Sequence, residues 1–444
     1  MNVVDNKQLA GVQVTALDRQ DLLPALVDPR LDAINFLNEV IDRFPDAISF
    51  APGAPFGGFF DDLDVGHYVD LYVRYLSEKQ HLTAAQVRRR LYQYGPARGQ
   101  INELLAGALR MDEQIEVAPR DIVVTVGCQE AMVLVLRTLC PGPNDVLAVV
   151  NPCFAGIAGA AKVLGIETLV VEESGDSLAL DELEAACTMA REQGKRVRAL
   201  YVAPDYSNPS GQLLDLDTRR RLLSLASHQD FLLIEDNAYG FTAHPDEALP
   251  TLKALDRARR VVYLGTCAKI CLPGVRVGFV VADQFVVDST GETRSLADEL
   301  ALVKSMVTVN TSPICQAIVG GMILEKGGSL AAVGREKAVL YRRNLSMLLA
   351  ALDRHVGPQA ELLGVSWNRP KGGFFVRMRL PVTADEALLA ACGSQYGVLW
   401  TPMRNFYLND GGRFEIRLSC SYLTDEEIDE GVRRLALFLH AVCA

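Results

Sequence analysis

From residue 95 onward, short apolar runs alternate with segments in which apolar positions recur every three or four residues. The runs predict strands over 121–126, 145–150, 168–172, 198–202, 231–234 and 260–264. The periodic segments predict helices over 102–111, 129–139, 180–193 and 217–228. Strand followed by helix followed by strand is the grammar of an α/β fold with a mostly parallel sheet flanked by helices on both faces. The second half changes character, with helical stretches near 293–306 and 330–352 and strand candidates at 374–380 and 414–418, which predicts a smaller α+β domain. A helix over 31–43 is expected to pack against that lobe. The resulting division is an N-terminal segment with part of the small domain over 1–69, a large domain over 70–305 and a C-terminal small domain over 306–444. No internal repeat or low-complexity tract interrupts it.

Composition narrows the function classes. The 444 residues, 49% hydrophobic and 22% charged, are those of a globular chain too large for one hydrophobic core. A formal charge of -11 opposes general attraction to nucleic acid or anionic membrane, so neither is expected as a partner. The 10 cysteines are scattered and none forms a CxxC pair; they read as reduced and mostly buried, and no metal site is expected. Asp5 stands where a signal peptide carries positive charge, and no run reaches the roughly 18 apolar residues of a membrane span, which predicts a cytoplasmic protein.

Four local patterns carry chemistry. Thr266-Cys267-Ala268-Lys269 ends a predicted strand, and Pro273-Gly274 then presents Arg276 seven residues beyond the lysine. A lysine amine becomes a nucleophile toward an aldehyde when burial or cationic neighbours lower its pKa. A hydroxyl and an arginine are groups a phosphate requires; a surface lysine beside a loop arginine accounts for the stretch comparably. In Ile234-Glu235-Asp236-Asn237-Ala238-Tyr239, an acid and a tyrosine follow an apolar strand, where parallel sheets bind ligands. Taken alone, that segment reads first as a helix cap at Asp236. Asn208 before Pro209 is a fixed amide or a simple turn. Gly127-Cys128-Gln129 joins strand to helix where backbone N–H groups can meet an anion, a weak pattern by itself. GxGxxG and GxxxxGK[ST] are both missing, so a dinucleotide or nucleoside triphosphate site lacks its markers.

Taken in order, these patterns resemble the fold type I pyridoxal phosphate enzymes, in particular the class I/II aminotransferases, from about Ser49 to Leu439. Tyr94-Gly95-Pro96-Ala97-Arg98-Gly99 is similar to the family's Y-x-P-x-x-G segment, and Pro370-Lys371-Gly372-Gly373-Phe374-Phe375 to its P-x-G-G-x-F strand. The resemblance implies a large domain that binds pyridoxal 5'-phosphate and a Lys269 aldimine through which an amino acid and a 2-oxo acid exchange an amino group. It implies that Asp236 keeps the pyridine nitrogen protonated, that Asn208 and Tyr239 hold the ring oxygen, and that Phe154 stacks on the ring. The phosphate is implied to lie on Gly127, Cys128, Gln129, Thr266 and Arg276, with Tyr94 supplied by a neighbouring subunit of a homodimer. Arg417 resembles the arginine that forks onto the substrate α-carboxylate, and Gly53 the glycine whose backbone approaches it.

Several features depart from the family pattern. Cys128-Gln129 replaces a small hydroxyl-bearing pair, and Thr266-Cys267-Ala268-Lys269 a more serine-rich version. The long segment over 56–93 either shapes an uncommon substrate pocket or packs through Tyr68, Leu71, Tyr72, Tyr75 and Leu76, which share helical spacing; packing is the preferred reading. Arg404 contacts substrate or is solvated, and the pattern does not choose. His67 and His81 read as structural or exposed, and Lys304 and Lys371 lack the phosphate partners of Lys269. The alternative is another pyridoxal phosphate reaction on the same scaffold, namely elimination or replacement, carbon–carbon bond formation, decarboxylation or oxidation. A ligand-sensing domain of a transcription regulator ranks below both, because the roughly fifty residues before Gly53 show no convincing helix-turn-helix.

Overall fold

The computed structural model describes residues 15, 17–28, 39, 40, 42–175 and 177–443. Strand β1 (Ile48–Ser49) leads into three helices, α1 (Val65–Glu78), α2 (Ala84–Tyr92) and α3 (Asn102–Glu113). The alternating stretch follows: β2 (Ile122–Thr125), α4 (Gly127–Leu139), β3 (Asp145–Asn151), α5 (Ala155–Val163), β4 (Glu167–Ser174), β5 (Ser177–Leu178), α6 (Leu180–Glu192), β6 (Arg196–Val202), α7 (Leu216–Gln229), β7 (Leu232–Asn237), β8 (Val261–Thr266) and β9 (Gly278–Val281). A hairpin of β10 (Phe285–Val287) and β11 (Thr293–Ser295) precedes α8 (Leu296–Val307), α9 (Pro313–Glu325) and the long α10 (Leu330–His355). The C-terminal part comprises β12 (Ser366–Trp367), β13 (Phe375–Arg379), α11 (Glu386–Tyr396), β14 (Val398–Leu399), β15 (Thr401–Pro402), β16 (Glu415–Ser419) and α12 (Asp425–Cys443).

The eight-stranded sheet has the order β2-β9-β8-β7-β6-β3-β4-β5. Its central strands β8, β7, β6, β3 and β4 are parallel, as the alternation predicts, while β9 runs antiparallel between β2 and β8 and β5 lies antiparallel at the edge. Successive residues of β3 enter opposite cores: Leu147 and Val149 join the cluster under α4 and α5, whereas Val146, Ala148 and Val150 join that under α6 and α7. Both faces are covered, which is why the central strands read as continuous apolar runs. Because they are parallel, their C-terminal ends share one edge, and the chemistry gathers there.

The small sheet is antiparallel in the order β12-β13-β16-β15, with α10, α11 and α12 around its core. The N-terminal part joins this lobe through β1, which pairs with β14, and through Phe50, buried in the same core. The expected helix over 31–43 lies mostly outside the described residues; Val40 near its end is buried in that core.

Several elements were not expected from the sequence, among them α5, β9, α11 and α12, and two departures have a clear physical reason. The helix expected over 293–306 begins at Leu296, because Thr293–Ser295 pair with β10. Helix α9 was not predicted: Gln316 through Ile323 are all buried, and a helix apolar on every side has no polar stripe to mark its period. Its Gly320 and Gly321 lie against the Tyr72 ring and the Tyr68 backbone of α1. Tyr72 and Leu76 are wholly buried there, which supports the packing reading of residues 65–78.

Candidate active site

Asp236 is the penultimate residue of β7 and lies 7% exposed, aligned with Leu264 of β8. Its carboxylate Oδ2 accepts a hydrogen bond from the Tyr201 hydroxyl of β6 at 2.6 Å, while its buried Oδ1 has no partner. Burial pushes its pKa up to about 6, against the pull of Tyr201 and of the Lys269 charge. The helix-cap reading of Asp236 is corrected here, because the residue is held inside the strand ladder. The next helical turn, Gly240–Thr242, starts from Tyr239 without a side-chain cap.

Lys269 lies in the turn after β8. Cys267 N–H is tied to Val277 O at 3.0 Å, Ala268 N–H to Thr266 Oγ1 at 3.2 Å and Cys271 N–H to Cys267 O at 2.8 Å. That turn aims the Lys269 ammonium at Gly53 O, 2.6 Å away. Burial, and then the Arg417 and Arg276 charges, lower its pKa to about 8 despite Asp236. The amine is therefore a usable nucleophile at mildly alkaline pH.

At the start of α4, Gly127 has φ 71° and Arg276 bends back with φ 48°. A Cβ on Gly127 would stand 2.3 Å from Arg276 Nη2, and one on Gly278 would stand 2.8 Å from Cys128 N. Both contacts require glycine, and both let the guanidinium and the free N–H groups of the first helical turn face one small space. The helix start and Arg276 make an anion cradle. Gln129 Nε2 donates to Gly156 O at 2.9 Å, which ties α4 to the turn where Phe154 begins α5. Cys128 Sγ donates to Gly265 O at 3.4 Å, so of this pair only the backbone remains for an anion.

Arg417 on β16 is buried between the rings of Phe375 and Phe406, at 4.4 and 4.8 Å. Nη1 donates to Asn208 Oδ1 at 2.7 Å; Nη2 donates to Ala51 O at 2.6 Å and to Thr401 Oγ1 at 3.2 Å; Nε is buried without a partner. Thr401 is its aligned neighbour across β15. Burial lowers the guanidinium to about 10, partly offset by Tyr239, whose own phenol is pushed up by burial beside Asn208.

Gly53, Gly127, Cys128, Gln129, Phe154, Asn208, Asp236, Tyr239, Thr266, Lys269, Arg276 and Arg417 thus converge on one edge of the sheet. Tyr94 does not join them within the chain and is 86% exposed, near Arg88 and Arg89. Arg404 is solvated, 3.7 Å from Asp410. His67 bonds Glu325 on the surface, and Lys304 is buried against Glu130 at 2.8 Å. Sequence reasoning missed Tyr201, Thr401, Phe375 and Phe406 as parts of the site. A phenol within the aliphatic run of β6 was the one usable signal.

This arrangement suits pyridoxal phosphate. Asp236 Oδ1 is a buried carboxylate oxygen that lacks a donor, as a protonated ring nitrogen requires, and the Gly127–Arg276 cradle accommodates a phosphate. Residues 62–435 match the family model "Aminotransferase class I and II". The chain is 44% identical over 427 residues to (S)-3,5-dihydroxyphenylglycine transaminase of Amycolatopsis orientalis, covering 96% of this chain and 95% of that protein. It is 30% identical to aromatic-amino-acid aminotransferase 1 of Thermococcus litoralis, covering 88% and 87%. A crystal structure of Pyrococcus horikoshii kynurenine aminotransferase, containing PMP, superposes with TM-score 0.79 at 26% identity, covering 95% of this chain and 97% of that one. The chain belongs to the class I and II aminotransferases: it is a pyridoxal phosphate-dependent enzyme of fold type I that moves an amino group between an amino acid and a 2-oxo acid.

Proposed function

We propose that Lys269, Asp236 and Arg417 carry the reaction and that the amino acid is aromatic. The observation that carries the assignment is the pairing of a lysine lowered to about 8 with a buried carboxylate that keeps one oxygen free. Lys269 Nζ would hold the cofactor covalently, Asp236 its ring nitrogen, Asn208 and Tyr239 its ring oxygen, and Phe154 one ring face. Gly127, Cys128, Gln129, Thr266 and Arg276 would hold its phosphate. When bound, the group supplies a sink for the electron pair left as the Cα–H bond breaks.

Arg417, already held by Ala51 and Thr401, orients the substrate carboxylate, with the Gly53 backbone beside it. With the cofactor bound, the Lys269 amine would act as the base for the substrate Cα proton and, once protonated, as the acid that gives it back, and its lowered pKa suits both roles at neutral to mildly alkaline pH. Gly53 O holds that amine in place by accepting its hydrogen bond.

Support for an aromatic substrate comes from the rings of Phe375 and Phe406 against Arg417, with Phe56 and Phe59 in the adjoining cluster, and from the substrates named for the relatives above. We assign Tyr94 to a partner's phosphate in a homodimer, a role its exposure permits. A cytoplasmic location accords with ten free thiols, and a two-lobe division with the placement of the two main sheets, although residues 69 and 305 fall inside α1 and α8 and α9 packs in the large-lobe core. The test is an amino-donor panel with mass detection of the 2-oxo acid: aromatic donors should exceed aspartate in kcat/KM by at least about tenfold. Equal rates would refute the aromatic assignment. Borohydride reduction followed by peptide mapping should place the tethered cofactor on Lys269.

A further inference from the structure

We propose that Glu113 is a positioning residue for Asp236, acting from the opposite face of the sheet through Asn237 and Tyr263. The proposal rests on the reading that Asp236 serves the ring nitrogen of the cofactor. Side chains alternate along β7, so Asp236 faces Tyr201 while Glu235 and Asn237 face away from it. On that far side, Glu113 ends α3 and its two carboxylate oxygens accept the Tyr263 hydroxyl, each at 2.9 Å. Asn237 Nδ2 donates to Glu113 Oε2 at 3.2 Å and to the Tyr263 oxygen at 3.1 Å, while its Oδ1 accepts Gly240 N–H at 3.1 Å.

One carboxylate therefore clamps the last residue of β7 to β8 and fixes the turn that carries Tyr239. The peptide joining Asp236 to Asn237 is held on both sides, by Tyr201 on one and by Glu113 on the other. Loosening the far side would let the Asp236 carboxylate swing without touching any residue of the site itself. Glu113 borders a cavity of about 930 Å³, whose other ionisable groups include Asp112, Asp205, Arg257, Arg335 and Arg342. Burial raises its pKa to about 7; Tyr263 and Asn237 oppose the rise, and Asp205 and Asp112 add to it. Glu113 can thus change charge near neutral pH.

The experiment uses the holoenzyme and compares Glu113→Gln, Tyr263→Phe and Asp236→Asn with the wild type. It reads the midpoint of the visible absorbance–pH titration and the cofactor Kd by equilibrium dialysis. Glu113→Gln and Tyr263→Phe should each move the midpoint and raise Kd roughly three- to tenfold, the size expected for the loss of one supporting hydrogen bond. Asp236→Asn should raise Kd further. Should Glu113→Gln fail to fold, Tyr263→Phe alone decides. Wild-type midpoint and Kd in the folded Glu113 and Tyr263 variants, with Asp236→Asn impaired, would overturn the proposal. A silent Asp236→Asn would instead remove the reading beneath it, and the proposal with it.

Discussion

The Arg417 guanidinium, carried by the small sheet, donates to Asn208 Oδ1 at 2.7 Å, on the loop after β6 of the large sheet. The contact joins the two lobes where the proposed carboxylate-binding and ring-binding residues meet. On the proposed roles of the two residues, this hydrogen bond links the cofactor side of the site to the substrate side.

Replacing Arg417 with lysine keeps the charge and discards the planar fork that reaches Ala51 and Thr401. The expected outcome is a fall in kcat/KM of about 100-fold or more, with cofactor Kd changed by less than about threefold. Steady-state kinetics beside dialysis measure both; parallel losses would contradict the substrate role.

Tyr201→Phe removes the only donor to Asp236 among the described residues. With that bond gone, the Asp236 pKa should climb further above about 6, since the bond favours the carboxylate. Activity at pH 7 should drop about tenfold, and raising the pH should recover part of it. A pH–kcat/KM profile with an unmoved acid limb would count against this.

The Lys269 pKa of about 8 gives uptake of the cofactor a definite sign. Only the neutral amine adds to an aldehyde, so the rate at which apo protein regains visible absorbance should rise as pH passes upward through about 8. Below that value it should fall about tenfold per unit. Because burial depresses this pKa, protonated Lys269 is a cost to the apo fold below about 8, and the cost disappears as pH rises toward the unfolded value. Apo protein carrying Lys269→Met should therefore melt higher than wild type at pH 7, which calorimetry measures.

At Gly321 of α9, an added Cβ would stand 2.0 Å from Tyr68 O, a backbone atom that cannot rotate away. Gly321→Ala should destabilise the chain by about 1–3 kcal/mol through separation of α1 from α9, seen as a lower Tm. Gly57→Ala, which meets nothing within 4 Å, is the control.

Much of this was legible in the amino-acid order. The apolar runs of β3, β6, β7 and β8 announce strands because both faces of the parallel sheet are covered, and Gly127, Asn208, Asp236, Lys269 and Arg417 announce the site through their combined order, which resembles a known family although each motif alone is weak. Helix α9 was illegible, since burial on every side erases its period. Tyr201 was only faintly legible: its phenol stands out in the aliphatic run of β6, but nothing local tells one that meets a carboxylate thirty-five residues away from one that merely packs.

The order of residues by itself determined the fold class, because local periodicity specifies strands and helices; it pointed to the lysine and the acid only through the ordered resemblance to a family, since each motif taken alone has a plain structural reading. Tertiary structure decided which lone pairs stay free, which charges are desolvated and which rings enclose Arg417. Those properties depend on atoms from β6, β7, β8 and β16 meeting across the sheets, and long-range contact of that kind has no signature in any short stretch of chain.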